Sequence, residues 1–414
     1  MAIRFEFFFR LGKRVIGFAS STILLMALSL VAIPVMVRAS GLDAWSYIAL
    51  GQGIGTMFAA LILWDWGVVG PTRIALYQES DRRREYLLSM FARFPLIVGA
   101  LPAMALLSYV VSKAHVLETF AGTAFSASIG LTSVWFFAGI QSPLLYLVYE
   151  TVPRCVATLI SIAAMLWLDA QAWQGILIQT GGMLIGVLVA ASRILAGGGF
   201  GRGSLRPFSM KWVFGSLWAR RAGLSRTLMY NGYLAAPIAI VGYFTPAVLP
   251  EFAIYDRIVR QVTGAMQPVV AALQGILPHY VGPGRRNGQI TAACVFLGGL
   301  IAIAIRPIID PLVTYFSAGE VRGSAMEYWL VASIIGAGLL DLLLAISIMP
   351  ILGVVKQSGW VTFASILFGI PAIFIGANAV GVVGALVGLL AGVLVRDALQ
   401  LIVIRGTLMP KRST

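Results

Sequence analysis

Two arginines stand where a membrane helix should carry none. The stretch EFAIYDRIVRQVTGAMQPVVAALQGILP, residues 251–278, has spanning length and, after Glu251 at its start, is apolar apart from Asp256, Arg257, Arg260 and a few uncharged polar side chains. A charge at the bilayer centre costs roughly 2.5–3.5 kcal/mol on insertion scales, so such groups are kept where they face protein or a watery interior. At about 100° per residue, Asp256, Arg260, Thr263, Gln267 and Gln274 fall in one stripe about 60° wide, with Arg257 on its flank. Guanidinium grips phosphate or carboxylate through two parallel hydrogen bonds. The chemistry on offer is recognition of an anion, with amides and a hydroxyl beside it for polar substituents. The bland reading is an i,i+4 pair of Asp256 with Arg260 that neutralises itself. One carboxylate cannot neutralise two arginines, which favours the wall of a polar pathway.

Other ionisable residues lie at membrane depth. Asp65, in LWDWGVVGP, is either a partner for an arginine or a proton carrier, or else an interfacial carboxylate between Trp64 and Trp66. Arg396 and Asp397 are sequence neighbours that point about 100° apart, so each needs a partner on another helix. Asp341, a lone acid in GLLDLLLAISIMP, is the candidate partner for Arg396. A structural interhelical pair is the simplest reading of these residues; ion coupling or gating is the sharper one. Asn231, with Tyr230 and Tyr233, offers hydrogen bonds to a sugar or serves as helix glue. His115 and His279 have no companions at metal-ligand spacing, so no metal is expected. No nucleophile, acid and base set points to an enzyme, and no cofactor motif is present.

The elements that must position these side chains follow from composition. Of the 414 residues, 59% are hydrophobic and 11% are charged, against about 25% charged in soluble domains. Apolar runs of about 20 residues recur along the chain, the length of a spanning helix. Continuous rather than alternating apolarity excludes a transmembrane β-barrel. Twelve spans are predicted near residues 15–37, 44–70, 93–112, 122–145, 149–168, 173–193, 227–246, 251–279, 290–309, 325–350, 359–377 and 380–404. Two connections are longer and polar, 71–92 and 194–226. The second divides the spans six and six. The reading is therefore a helical bundle over 1–193, a basic linker over 194–226 and a second bundle over 227–414. In the linker Trp212, Phe214 and Trp218 interleave with basic residues, which suits a helix lying on anionic lipid.

The net charge of +14 is explained by loop bias rather than by nucleic acid. With the N-terminus inside, the inner segments carry 23 Lys and Arg and the outer segments 4. That asymmetry places both termini in the cytosol. The N-terminal basic run precedes a span too long for a signal peptide, so an uncleaved first helix is expected. Cys155 and Cys294 lie in or beside spans and read as packing residues.

The first hundred residues carry a more specific pattern. Pro34 and Arg38 close the first helix, Gly41 makes a turn, and an aromatic-containing span leads to Asp65-Trp66-Gly67 and an Arg73 exit; later comes IYDRIVRQ with a proline-ended helix. This resembles the Wzx-type polysaccharide flippases of the multidrug/oligosaccharidyl-lipid/polysaccharide exporter superfamily. The resemblance implies an all-α polytopic membrane protein with about twelve transmembrane helices in two six-helix bundles around a central cavity, working by alternating access. It implies an undecaprenyl-pyrophosphate-linked oligosaccharide as substrate, the bacterial inner membrane as location, a proton or sodium ion as coupling species and polysaccharide-assembly proteins as partners. Arg257 and Arg260 are then expected on the pyrophosphate, and Thr263, Gln267 and Gln274 near hydroxyls. Within the same superfamily, a lipid II flippase and a multidrug cation antiporter are the rivals. A glycan polymerase is the rival of another class, and it lacks the large outer loop such enzymes carry.

Overall fold

The structure is a computed structural model. It describes the backbone of residues 2–196, 210–276 and 286–408; within these helices the side chains of 2–16, 18–19, 210, 212, 222–223, 225–226, 267–269, 271–276, 286–287, 346–347, 355–356 and 407–408 are outside the description. Among the described residues the chain is helical throughout, with no strand. In order the helices are α1 (Ala2–Leu63), α2 (Trp66–Leu76), α3 (Glu79–Val111), α4 (Val116–Ser128), α5 (Val134–Gly139), α6 (Pro143–Tyr146), α7 (Val152–Trp167), α8 (Ala172–Ala196), α9 (Met210–Ala219), α10 (Arg221–Phe244), α11 (Leu249–Ile276), α12 (Arg286–Phe316), α13 (Ala325–Leu342), α14 (Met349–Ile351) and α15 (Val355–Leu408). π-Helical turns join α6 to α7 over Leu147–Thr151 and α13 to α14 over Leu343–Ile348.

Length converts these helices into spans. Among the described residues eight apolar runs are long enough to cross a bilayer, and two of them, Ser20–Leu76 and Gln357–Gly406, have 57 and 50 residues. At about 1.5 Å per residue each is far longer than a hydrocarbon core of about 30 Å. Both are broken at a glycine with positive φ, Gly41 (φ 81°) and Gly381 (φ 64°), so each supplies two spans. Thr227–Phe244 and Pro246–Met266 form a further pair bent by 116°. The result is an all-α polytopic membrane protein with twelve spanning helices in two bundles.

The chain divides into two compact units, Met1–Ala235 and Ala236–Thr414. In the first, the second arm of α1 and α4 touch backbone to backbone. A Cβ on Gly51 would sit 2.0 Å from the Thr119 carbonyl oxygen, and one on Gly122 would sit 2.2 Å from that of Ile48. With no hydrophobic drive between helices in lipid, such small-residue seams supply the packing. The core beside the seam is aromatic: Trp66, Tyr86, Trp135, Phe136, Phe137 and Tyr146 are all buried. The second unit packs an aliphatic core of Leu339, Leu343, Leu344, Ile348, Met349 and Ile404. There α13 opens with a capping box, in which the Ser324 side chain accepts from the Glu327 N–H and Glu327 reaches back to the Ser324 N–H.

Of the two longer polar connections, the first is largely helical and the second holds the short helix expected at the lipid surface. Residues 79–92 are the first turns of α3, where Glu79 and Asp81 oppose the positive end of the helix dipole and Arg83 pairs with Glu79 one turn back. Part of 194–226 folds as α9. Val213 and Leu217 enter the first unit's core, and Trp64 Nε1 donates to the Leu217 carbonyl at 3.1 Å. The boundary between the two compact units lies within α10, after Ala235.

Candidate functional site

The arginine-bearing helix is α11, in the second unit. Asp256 is buried and its Oδ2 lies 2.6 Å from Arg260 Nε, a one-turn pair on the same helix. The self-neutralising arrangement therefore exists for Arg260. Arg257 and Arg260 are both half-buried. From Tyr255 onward the described part of α11 carries two guanidiniums against one carboxylate. Glu251, one turn earlier, is engaged elsewhere: the Tyr255 hydroxyl lies 3.2 Å from Glu251 and 3.1 Å from Glu327, which ties α11 to the start of α13. The Thr263 hydroxyl donates to the Val259 carbonyl at 2.7 Å, so in this conformation it serves its own helix. The side chains of Gln267 and Gln274 lie outside the described residues. Asn231, in the first unit, donates its amide to the Thr227 carbonyl one turn back at 2.9 Å.

A second polar cluster in the same unit joins α13 to α15. Arg396 Nε lies 2.9 Å from Asp341 Oδ1, and Gln400 Nε2 donates to the same oxygen at 2.7 Å. These three side chains and Asp397 are all buried. Neither carboxylate oxygen of Asp397 has a hydrogen-bond partner among the described residues. A buried carboxylate so placed is costly unless something else satisfies it.

The first unit holds a network that the sequence does not reveal. Asp65, buried beside the N-terminus of α2, lies 3.4 Å from Arg73 two turns on. Glu85 is its hub. Trp66 Nε1 donates to Glu85 at 3.0 Å, Arg220 grips it with two bonds of 2.7 and 3.2 Å, and Arg73 stands 3.8 Å away. Trp64 beside it takes φ 54°, a left-handed conformation rare for a bulky residue, held by the indole bond to α9. Deeper in, Arg93 is fully buried with its guanidinium 5.6 Å from the ring centres of both Trp66 and Trp135. Its Nη1 donates to the carbonyls of Leu131 and Thr132 at 3.2 and 3.4 Å. Glu150, on the first π-helical turn, accepts from the Ser133 N–H at 2.6 Å, and Ser133 Oγ meets the Tyr86 hydroxyl at 2.8 Å.

Four residues of this network, Glu85, Arg93, Glu150 and Arg220, escape sequence reasoning. Arg93 is read there as a loop cation; the structure buries it completely within α3, against two indole faces and two carbonyls. The available signal was composition alone: a lone acid in LVYETVPR and a lone base in FARFPLIVG, each flanked by apolar residues.

No known family model matches the chain, and no curated protein matches it in sequence. Solved structures do match over nearly the whole length. The lipid II flippase MurJ in an inward closed conformation aligns with a TM-score of 0.58 at 15% identity, covering 94% of this chain and 87% of that one. A multidrug resistance MATE family transporter of the MOP superfamily, inward-facing, gives 0.57 at 13% identity with 94% of each chain covered. A eukaryotic MATE transporter gives 0.53 at 14% identity, covering 96% and 97%. The chain has the fold these transporters share.

Proposed function

We propose that this protein is a flippase of the same superfamily. It moves an undecaprenyl-pyrophosphate-linked oligosaccharide across the bacterial inner membrane by alternating access, and Arg257 and Arg260 bind the pyrophosphate. The observation that carries the reading is the charge of α11 from Tyr255 onward, with two guanidiniums against one carboxylate, while Glu251 one turn earlier is engaged by Tyr255. Pyrophosphate is an anion whose transfer through hydrocarbon is prohibitive without such partners. Asp256 holds Arg260 by Nε and so orients its guanidinium, an arrangement that suits planar, bidentate recognition. A fold shared with a protein named as a lipid II flippase supports a lipid-linked cargo. Both termini face the cytosol, the cargo enters from that side, and the protein performs no covalent chemistry.

Asp397 is the residue we assign to coupling, because a buried carboxylate without hydrogen-bond partners among the described residues is where a proton or sodium ion would be exchanged. The same residue favours the second reading, an exporter of cationic small molecules, in which an acid and not an arginine meets the cargo.

Replacing Arg257 and Arg260 by Ala, at normal membrane abundance, is expected to lower surface polysaccharide about ten-fold or more and to raise lipid-linked precursor, since each charge-assisted contact is worth about 1.5–3 kcal/mol. Lys at both positions restores only part of the export, because it loses the bidentate geometry. Normal export in the Ala pair removes the arginines from the mechanism. Loss of resistance to cationic dyes in Asp397→Asn cells, with polysaccharide export intact, selects the second reading.

A further inference from the structure

We propose that the first unit carries a binding site for the headgroup of an anionic phospholipid, between the start of α3 and the short helix α9. The observation is a cavity of about 710 Å³ whose lining includes Asp81, Arg84, Glu85, Leu88, Lys211 and Arg220. It is separate from the arginine stripe of α11 and from the cluster around Asp341.

The wall of the cavity is fixed. Arg220 is locked to Glu85 by two hydrogen bonds, and Glu85 is also held by Trp66. That pair contributes little net charge. Of the remaining lining charges, Arg84, Lys211 and Asp81 are all exposed, which leaves the mouth net positive. A phosphate is the group that such a mouth recognises.

The surroundings choose lipid over a soluble phosphate. α9 buries Val213 and Leu217 but exposes Phe214 and Trp218, the latter 69% exposed, and Arg221 lies over the Trp218 ring at 4.5 Å. Exposed aromatics beside basic residues mark a helix at the level of lipid headgroups. The face of α3 that lines the cavity also continues into the membrane. At about 100° per residue, Asp81, Arg84, Leu88, Phe91 and Val98 share an arc of about 100°. Phe91 and Val98 are more than half exposed, so the arc that lines the cavity continues as an apolar track along the spanning part of α3. A headgroup in the cavity and an acyl chain along that track use both surfaces at once.

The test is lipid titration of the purified, delipidated full chain followed by native mass spectrometry. Phosphatidylglycerol is expected to bind more tightly than phosphatidylcholine. Arg84→Ala with Lys211→Ala should weaken phosphatidylglycerol binding about thirty-fold, from about 1 kcal/mol per basic residue near an anionic surface, and leave phosphatidylcholine unchanged. Arg193→Ala, an exposed basic residue outside the cavity, should leave both unchanged. Helical circular dichroism and monodispersity confirm that the variants are folded; because both replaced side chains are exposed, no core contact is lost. The proposal is overturned if the double variant keeps the preference. It is also overturned if Arg193→Ala loses as much, which would mean diffuse surface charge. Competition by inorganic phosphate as effective as by the lipid overturns it too, since that would mean a site for a soluble anion.

Discussion

The surroundings of Glu85 in the first unit and of Asp397 in the second treat a buried carboxylate in opposite ways. In Met1–Ala235, Glu85 gathers an indole and two arginines, and Arg93 lies between two indole faces, all beside an aromatic core and a glycine seam. In Ala236–Thr414 the cluster around Leu339 and Leu343 is aliphatic and the acids beside it diverge. Asp341 is held by Arg396 and Gln400, while Asp397, next in sequence to Arg396, has no hydrogen bond among the described residues. A charge whose partners all lie within one packed unit is part of the architecture. A buried carboxylate without them is the group we assign above to an exchanged ion.

That contrast can be broken by mutation. The largest effect is expected from Glu85→Ala, which leaves Arg220 and the Trp66 N–H without their acceptor, and from Asp341→Ala, which removes the buried carboxylate paired with Arg396 and bonded by Gln400. Breaking a buried pair on one side costs about 3–5 kcal/mol, so both should lower the thermal unfolding midpoint of the detergent-purified protein sharply. A small shift for Glu85→Ala would mean that the first unit's network is ornamental. Gly51→Val comes next. Its side chain would meet the Thr119 backbone, and overpacking costs about 1–3 kcal/mol, read in the same melting experiment. Ser324→Ala removes one side of the α13 capping box and should cost about 1 kcal/mol. Asp397→Asn is last on this scale. It loses no hydrogen bond seen in the structure, so stability should match or exceed that of the starting protein while transport loses its response to an imposed ion gradient. Destabilisation as large as that of Asp341→Ala would erase the distinction between the two acids.

Much of the architecture was legible because the membrane writes it in long runs. Twelve apolar stretches become twelve spans, and the glycine at 41 marks where the first helix breaks. The Asp341–Arg396 contact was readable for a related reason: acids are so rare at membrane depth that few partners exist for Arg396. At Asp256 and Arg260 the spacing permitted both the i,i+4 pair and a binding wall. The pair is present, and the second guanidinium keeps the other reading in play. The first unit's network was illegible because its members come from places that local patterns call loops. Glu85 and Arg93 belong to helical turns that begin before the apolar run, and Arg220 arrives from a basic segment far along the chain. No periodicity links Trp66 to Glu85, and only the folded backbone brings them together.

At Gly41 alone, and at Val380 with Gly381, the chain changes course within one or two residues, each time through a glycine with a backbone angle that L side chains resist. Such corners offer a protease almost nothing to cut and give an inserted epitope no slack to occupy. Topology mapping by insertion should therefore fail at these two positions for mechanical reasons, and a silent tag there would say nothing about which side of the membrane it faces.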